Sequence, residues 1–119
     1  MSYNIAIASA NGQTVNQHFG LAKNFLIYRI SDAGVAFVED RLITGVLPSE
    51  HHHSEERLVA IANQLQDCAL LFVSKIGVQA SRYLYDHDIK SFEVNFSLHK
   101  VLSLLLETEK KGRINVTKL

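Results

Sequence analysis

The chain has 119 residues, 47% hydrophobic and 20% charged, with 12 Lys plus Arg balanced by 12 Asp plus Glu. That size and composition fit one globular domain with a single core. The neutral balance argues against a dedicated nucleic-acid or membrane-surface protein.

The lone cysteine, Cys68, rules out an internal disulfide framework and fits a reducing compartment. No N-terminal stretch joins a basic region, an apolar run and a cleavage site. Every apolar run falls well short of the ~18 residues a bilayer span needs. A cytoplasmic protein is expected.

In chain order, "NIAIAS" (4–9) reads as a short apolar strand. A stretch of about fifteen residues containing "TVNQHFGLAK" (14–23) follows it. "NFLIYRI" (24–30) and "VAFVEDRL" (35–42) are β-branched and aromatic, and "SDAG" (31–34) supplies turn chemistry between them. "ITGVLPSEHHH" (43–53) reads as a loop with the only proline, Pro48.

The clearest helix is "SEERLVAIANQLQD" (54–67), with Leu58, Ile61, Ala62 and Leu65 on one face. Ser54 suits its N-cap, and Glu55 and Glu56 suit the positive end of its dipole. "CALLFV" (68–73) is a continuous apolar run, expected as a strand buried on both faces. A second helix is expected over 78–88, a strand over 91–94 and a third helix over 97–107, with a charged tail from Thr108.

The order β-β-β-α-β-α-β-α predicts an α/β fold with a five-stranded mixed sheet, strand order 3-2-1-4-5, and helices on both faces. That is a ribonuclease-H-like arrangement. The first strand would lie at the centre, parallel to the fourth.

Ligands of such sheets bind beyond the C-terminal ends of parallel strands. Two segments emerge there side by side: the long loop after the first strand, and "SKIG" (74–77) after the fourth. The helix after "SKIG" would offer free N–H groups and a positive dipole end, and Lys75 adds a full charge. An anionic ligand between His18 and this turn would be electrostatically sensible.

By residue type alone, His18 reads first as a solvated loop histidine. The length of its loop favours a functional role, because long unstructured connections are uncommon. Phe19 would anchor the loop or simply join the core, and Gly20 would permit a sharp exit.

His51, His52 and His53 could contribute one or two metal ligands, since neighbours in extended chain point to opposite sides. A polar loop is the plainer account of them. Cys68 reads as a small core hydrophobe. His87 and His99 read as surface residues of their helices.

No G-x-G-x-x-G, P-loop, C-x-x-C or H-E-x-x-H pattern occurs. The first strand has no carboxylate, whereas a ribonuclease-H-type nuclease needs clustered carboxylates for two metals. No serine has an evident histidine–carboxylate relay, so the residues do not support an enzyme; a small enzyme of this fold and an ion-binding module using the histidine triplet remain as alternative readings.

The segment "VNQHFGLAKNFLIYRI" resembles the V-D-x-H-F-G-x-A-x-x-F-x-I-Y pattern of the dinitrogenase iron–molybdenum cofactor biosynthesis family. That family includes NifX-type carriers, the NafY core domain and the C-terminal domain of NifB. The run "HHHSEERLVAIANQLQDCALLFVSKIGVQASRYLYDHDIKSFEV" is similar to its later blocks, so the match extends over roughly residues 3–107. Asn16 stands where the family commonly has aspartate, and His87-Asp88 where it often has glycine.

The resemblance implies a non-catalytic carrier of an iron–sulfur cofactor or precursor, the iron–molybdenum cofactor or its precursor. Its carrier domain would span 1–107 and its tail 108–119. His18 would be the primary ligand. Phe19, Gly20, Asn16, Lys75 and Gly77 would complete the cofactor site, with His51, His52 or His53 as added metal ligands. The implied partners are nitrogenase cofactor-assembly proteins or apo-dinitrogenase, with no nucleic acid and no membrane.

Overall fold

The computed structural model describes residues 2–45 and 55–110. Strands β1 (Ser2–Ile7), β2 (Asn24–Ser31), β3 (Gly34–Leu42), β4 (Cys68–Val73) and β5 (Lys90–Glu93) form one sheet in the order β3-β2-β1-β4-β5. β1 pairs antiparallel with β2 and parallel with β4; β2 and β3 are antiparallel, and β4 and β5 parallel. The expected α/β class, mixed sheet and strand order are all present.

Period-two alternation sends neighbouring side chains to opposite faces. Ala6, Ala8, Leu71 and Val73 face α1 (Glu55–Gln64) and α2 (Val78–Asp86), where they meet Ile61, Ala62, Leu65 and Leu84. Ile5, Ile7, Leu70 and Phe72 face α3 (Leu98–Lys110), where they meet Leu98, Val101 and Leu105. This explains why β4 is apolar at every position: both of its faces are covered.

The β2–β3 hairpin closes where expected, with Ser31 opposite Gly34 and the glycine at φ 129°. Its register shifts at Ile27/Tyr28, which leaves Val38 as the extra, bulged residue.

Three helix limits differ from the sequence pattern. α1 ends at Gln64 rather than 67. Its terminal carbonyl accepts a hydrogen bond from Arg41 of β3, at 3.0 Å, and Asp67 binds the same guanidinium at 2.6 and 3.0 Å. A partner from another element thus takes the place of a further helical turn.

α2 ends at Asp86, and Asp88 adopts a left-handed φ of 66° while its N–H bonds Tyr85 O. This conformation accounts for glycine at the corresponding place in the pattern. α3 passes the expected limit at 107 and continues to Lys110, with the Thr108 hydroxyl donating to Leu104 O at 2.6 Å. The expected N-cap, Ser54, lies outside the described residues, as do Pro48 and His51, His52 and His53.

Candidate functional site

The loop between β1 and β2 is held along its whole length. In its first half, Asn11 Oδ1 accepts from the N–H groups of Gln13 and Thr14 at 2.9 and 3.0 Å. Ser9 Oγ donates to Thr14 O at 2.6 Å and accepts from Gly12 N at 3.0 Å. Gly12 adopts φ 72°, a left-handed turn that glycine enters at little cost.

The Asn16 side-chain oxygen accepts from Ala10 N at 2.8 Å. An aspartate could accept the same bond, which explains the exchange of the two residues at this place. Asn16 therefore closes the loop on itself, a role separate from the ligand contact its place in the family pattern implies. Beyond it, Val15 is buried, and its N–H bonds Phe96 O at 3.1 Å.

The second half lies against the "SKIG" turn. Ser74 N donates to Gln17 O at 3.0 Å, and Phe19 N donates to Lys75 O at 2.9 Å. His18 and Lys75 thereby form an isolated parallel β-bridge. Both residues are exposed. Residues paired across a bridge point their side chains to the same side. The imidazole and the ammonium thus share one surface at the C-terminal edge of β1 and β4.

Phe19 is buried, with its ring 6.5 Å from that of Phe25. The next turn closes on His18 itself, whose carbonyl accepts from Leu21 N and Ala22 N at 3.1 and 3.0 Å. Gly20 keeps an ordinary backbone: the positive-φ glycines among the described residues are Gly12, Gly34 and Gly45. Its part is a carbonyl, which accepts from Arg57 Nε at 2.8 Å.

Arg57 was not evident from the sequence as a site residue. It is 4% exposed, sits on α1 and donates to the carbonyls of both Gly20 and Ala22. Burial lowers its pKa from the usual guanidinium range. One signal could have found it: Arg57 precedes Ile61 and Leu65 by one and two helical repeats, so a cation interrupts the apolar stripe.

On the other side of Lys75, Gly77 begins α2 in an extended conformation (φ −71°, ψ 154°), and no side chain caps that end. The preceding N–H is taken: Ile76 N donates to Glu93 Oε2 at 2.8 Å. Glu93 is also new to the site, and the backbone at Ile76 is not open to a ligand as expected. A groove of about 680 Å³ passes Ile76, Val78, Tyr85 and Glu93 between α2 and β5, but His18 does not line it.

The remaining candidates are separate from this surface. Cys68 is buried, and burial with nearby Asp67 pushes its thiol up to about 12, so it persists as a neutral core group. His87 bonds Tyr83 O at 2.8 Å and stacks on the Tyr83 ring; His99 lies 3.4 Å from Ser103 Oγ. Among the described residues, no three His, Cys, Asp or Glu side chains gather as a metal site. The site is thus one imidazole, one ammonium and an uncapped helix end, with the Glu93 carboxylate bonded to the N–H that follows Lys75.

Comparison with known proteins gives a consistent picture. The family described as "Dinitrogenase iron-molybdenum cofactor" matches residues 1–108. The FeMo cofactor biosynthesis protein NifB of Bradyrhizobium diazoefficiens is 37% identical over 73 residues, 61% of this chain and 14% of that protein. Protein NifX of Sinorhizobium fredii is 37% identical over 76 residues, 61% of this chain and 48% of NifX. Protein NifY of Klebsiella pneumoniae is 34% identical over 84 residues, 71% and 34% of the two chains.

This chain therefore spans less than half the length of each of these curated relatives. An NMR structure of a Thermotoga protein provisionally assigned as NifB shares the fold, with a TM-score of 0.54 over 93% of this chain and 90% of that one, at 18% identity.

Proposed function

Because the chain belongs to the dinitrogenase iron–molybdenum cofactor family, with a role in making that cofactor, we propose that it binds and carries the cofactor or an iron–sulfur precursor of it. The observation that carries this reading is the His18–Lys75 bridge. It brings an imidazole and an ammonium together on an exposed edge.

An anionic metal–sulfur cluster is matched by that pair. The imidazole ligates a metal at the cluster surface, and Lys75 and the uncapped start of α2 offset its charge. A single strong protein ligand keeps the cargo exchangeable, where a cage of thiolates would retain it. Gly77 lends its extended backbone to the edge of this surface, and Phe19, Gly20 and Asn16 hold the loop that presents His18. Any contribution of His51, His52 or His53 lies outside the described residues.

The chain acts by binding and delivery, not by catalysis. Its ribonuclease-H-like sheet serves as a scaffold, since β1 (SYNIAI) brings no carboxylate to the sheet's centre. Its partners are cofactor-assembly proteins or apo-dinitrogenase in the cytoplasm. No helix of the described residues is long and apolar enough to cross a membrane.

Anaerobic titration of the chain with isolated iron–molybdenum cofactor, followed by visible absorption, tests the reading. Uptake is expected at one site. His18→Ala should weaken it at least about ten-fold, the scale of losing a metal-orienting contact or more, while His87→Ala leaves it unchanged. Equal uptake by both variants would remove His18 as the ligand, and no uptake by the parent chain would end the carrier reading.

A further inference from the structure

We propose that Glu93 limits the affinity of this surface for its cargo, as a built-in anion that an incoming anionic cluster must displace or tolerate. The inference rests on the carrier reading above and adds a regulatory residue to the same site.

Glu93 is the last residue of β5 and pairs with Val73, the last residue of β4. Its backbone thus ends level with the strand from which the "SKIG" turn departs. The side chain reaches over that turn, and its Oε2 accepts from Ile76 N at 2.8 Å. Ile76 directly follows Lys75, the bridge partner of His18.

A carboxylate therefore occupies the N–H donor next to the one cation of the bridge. This has two consequences for an anionic ligand. It removes a donor that the ligand would otherwise use, and it places a like charge on the turn that carries Lys75.

The same contact acts on the fold and on an anionic cargo. Glu93 is exposed, so the bond to Ile76 N competes with water and adds little to stability. A neutral acceptor would still satisfy the same N–H, with a weaker bond. The negative charge also faces the positive start of α2, where an exposed anion adds modest stability, but the same charge is what an anionic cargo senses. For a protein that must release what it binds, moderated attraction is useful: the histidine and lysine draw the cluster in, and the carboxylate limits how long it stays.

Glu93→Gln separates charge from shape, because glutamine retains an oxygen that can accept from Ile76 N. Full-length Glu93→Gln, Glu93→Ala and parent protein are titrated anaerobically with isolated iron–molybdenum cofactor at low and at moderate salt. Both variants should bind roughly three- to ten-fold more tightly at low salt, the scale of one unit charge at a water-facing contact. The gain should shrink as salt screens it.

Glu93→Gln with parental affinity, or weaker binding by both variants, would overturn the tuning role. Either result, with His18→Ala still impaired, leaves the carrier reading standing. Absence of uptake by the parent chain would overturn both. Melting temperatures within about 2 °C of the parent would show that the affinity change is not a folding defect.

Discussion

The two halves of the β1–β2 loop are stabilised in different ways. Residues 9–16 satisfy their backbone largely from within, through the side chains of Ser9, Asn11 and Asn16. Residues 17–22 have no such side-chain network, only the backbone turn that closes on His18 O. Their backbone is held by Ser74 and Lys75 on one side and by Arg57 on the other, with Phe19 sunk between them. The first half closes on its own side chains and is tied to residues 96–98 by Val15 N–Phe96 O and Leu98 N–Gln13 O, whereas the second half is clamped between the "SKIG" turn and Arg57. His18 is carried by the clamped half, which is where a ligand needs a fixed position.

Arg57 offers the strongest way to break that contrast. Its replacement by methionine keeps bulk and the apolar stem but strips the Gly20 and Ala22 carbonyls of a charged donor. Charge-assisted bonds of this kind contribute about 1.5–3 kcal/mol each, and an unmet buried carbonyl adds a cost. Methionine also spares the cost of burying a charge, which offsets part of this, so we expect a loss of about 2–3 kcal/mol in urea denaturation, together with weaker cofactor uptake in the folded protein. Arg57→Lys should recover only part of both, because an ammonium lacks the fork that reaches two carbonyls at once. Full uptake by a folded Arg57→Met protein would show that the second half holds its shape without the clamp.

The first half should respond less. Asn16→Ala removes one side-chain acceptor from a partly exposed network, with an expected cost of about 1 kcal/mol. Asn16→Asp should be close to neutral, since it keeps the oxygen that meets Ala10 N. Neither change should alter cofactor affinity as strongly as His18→Ala. A large affinity loss in Asn16→Asp, measured in the same titration, would instead put Asn16 among the cargo contacts.

The legibility of the sequence follows the same division. Strand order and the covered faces of β4 were readable, because a continuous apolar run and helix–strand alternation are local patterns with few three-dimensional solutions. His18 and Lys75 could be brought to one edge from topology alone. Arg57 was harder to read because its partners are backbone carbonyls, which every residue carries and no pattern marks. Glu93 was invisible for another reason: its contact depends on β4 and β5 ending in register, which a sequence does not display. Asn16 stood correctly in the motif, yet its side chain serves the loop's closure. The early end of α1 had a similar cause, since Arg41 belongs to a strand more than twenty positions upstream.

That Arg41–Asp67 latch provides the smallest and most discriminating test, because it fastens α1 without touching either half of the loop. The Arg41 guanidinium holds the Asp67 carboxyl below its ordinary range, chiefly through their hydrogen bond. Asp67 thus binds its proton less readily in the folded protein than in the unfolded chain. Its stabilising effect is complete above the unfolded pKa of about 3.9 and fades as pH falls through the lower folded value. The Asp67 side chain is 47% exposed, so solvent screens the pair and its worth stays below about 1 kcal/mol. Asp67→Asn should therefore lower stability slightly at pH 7 and flatten the acid limb of the stability curve. Cofactor affinity at pH 7 should stay at the parental level, because the "SKIG" turn and the Arg57 clamp are intact. If Asp67→Asn weakened uptake as much as Arg57→Met, the two ends of α1 would be acting together on His18, and the loop's second half would be governed by the helix as a unit.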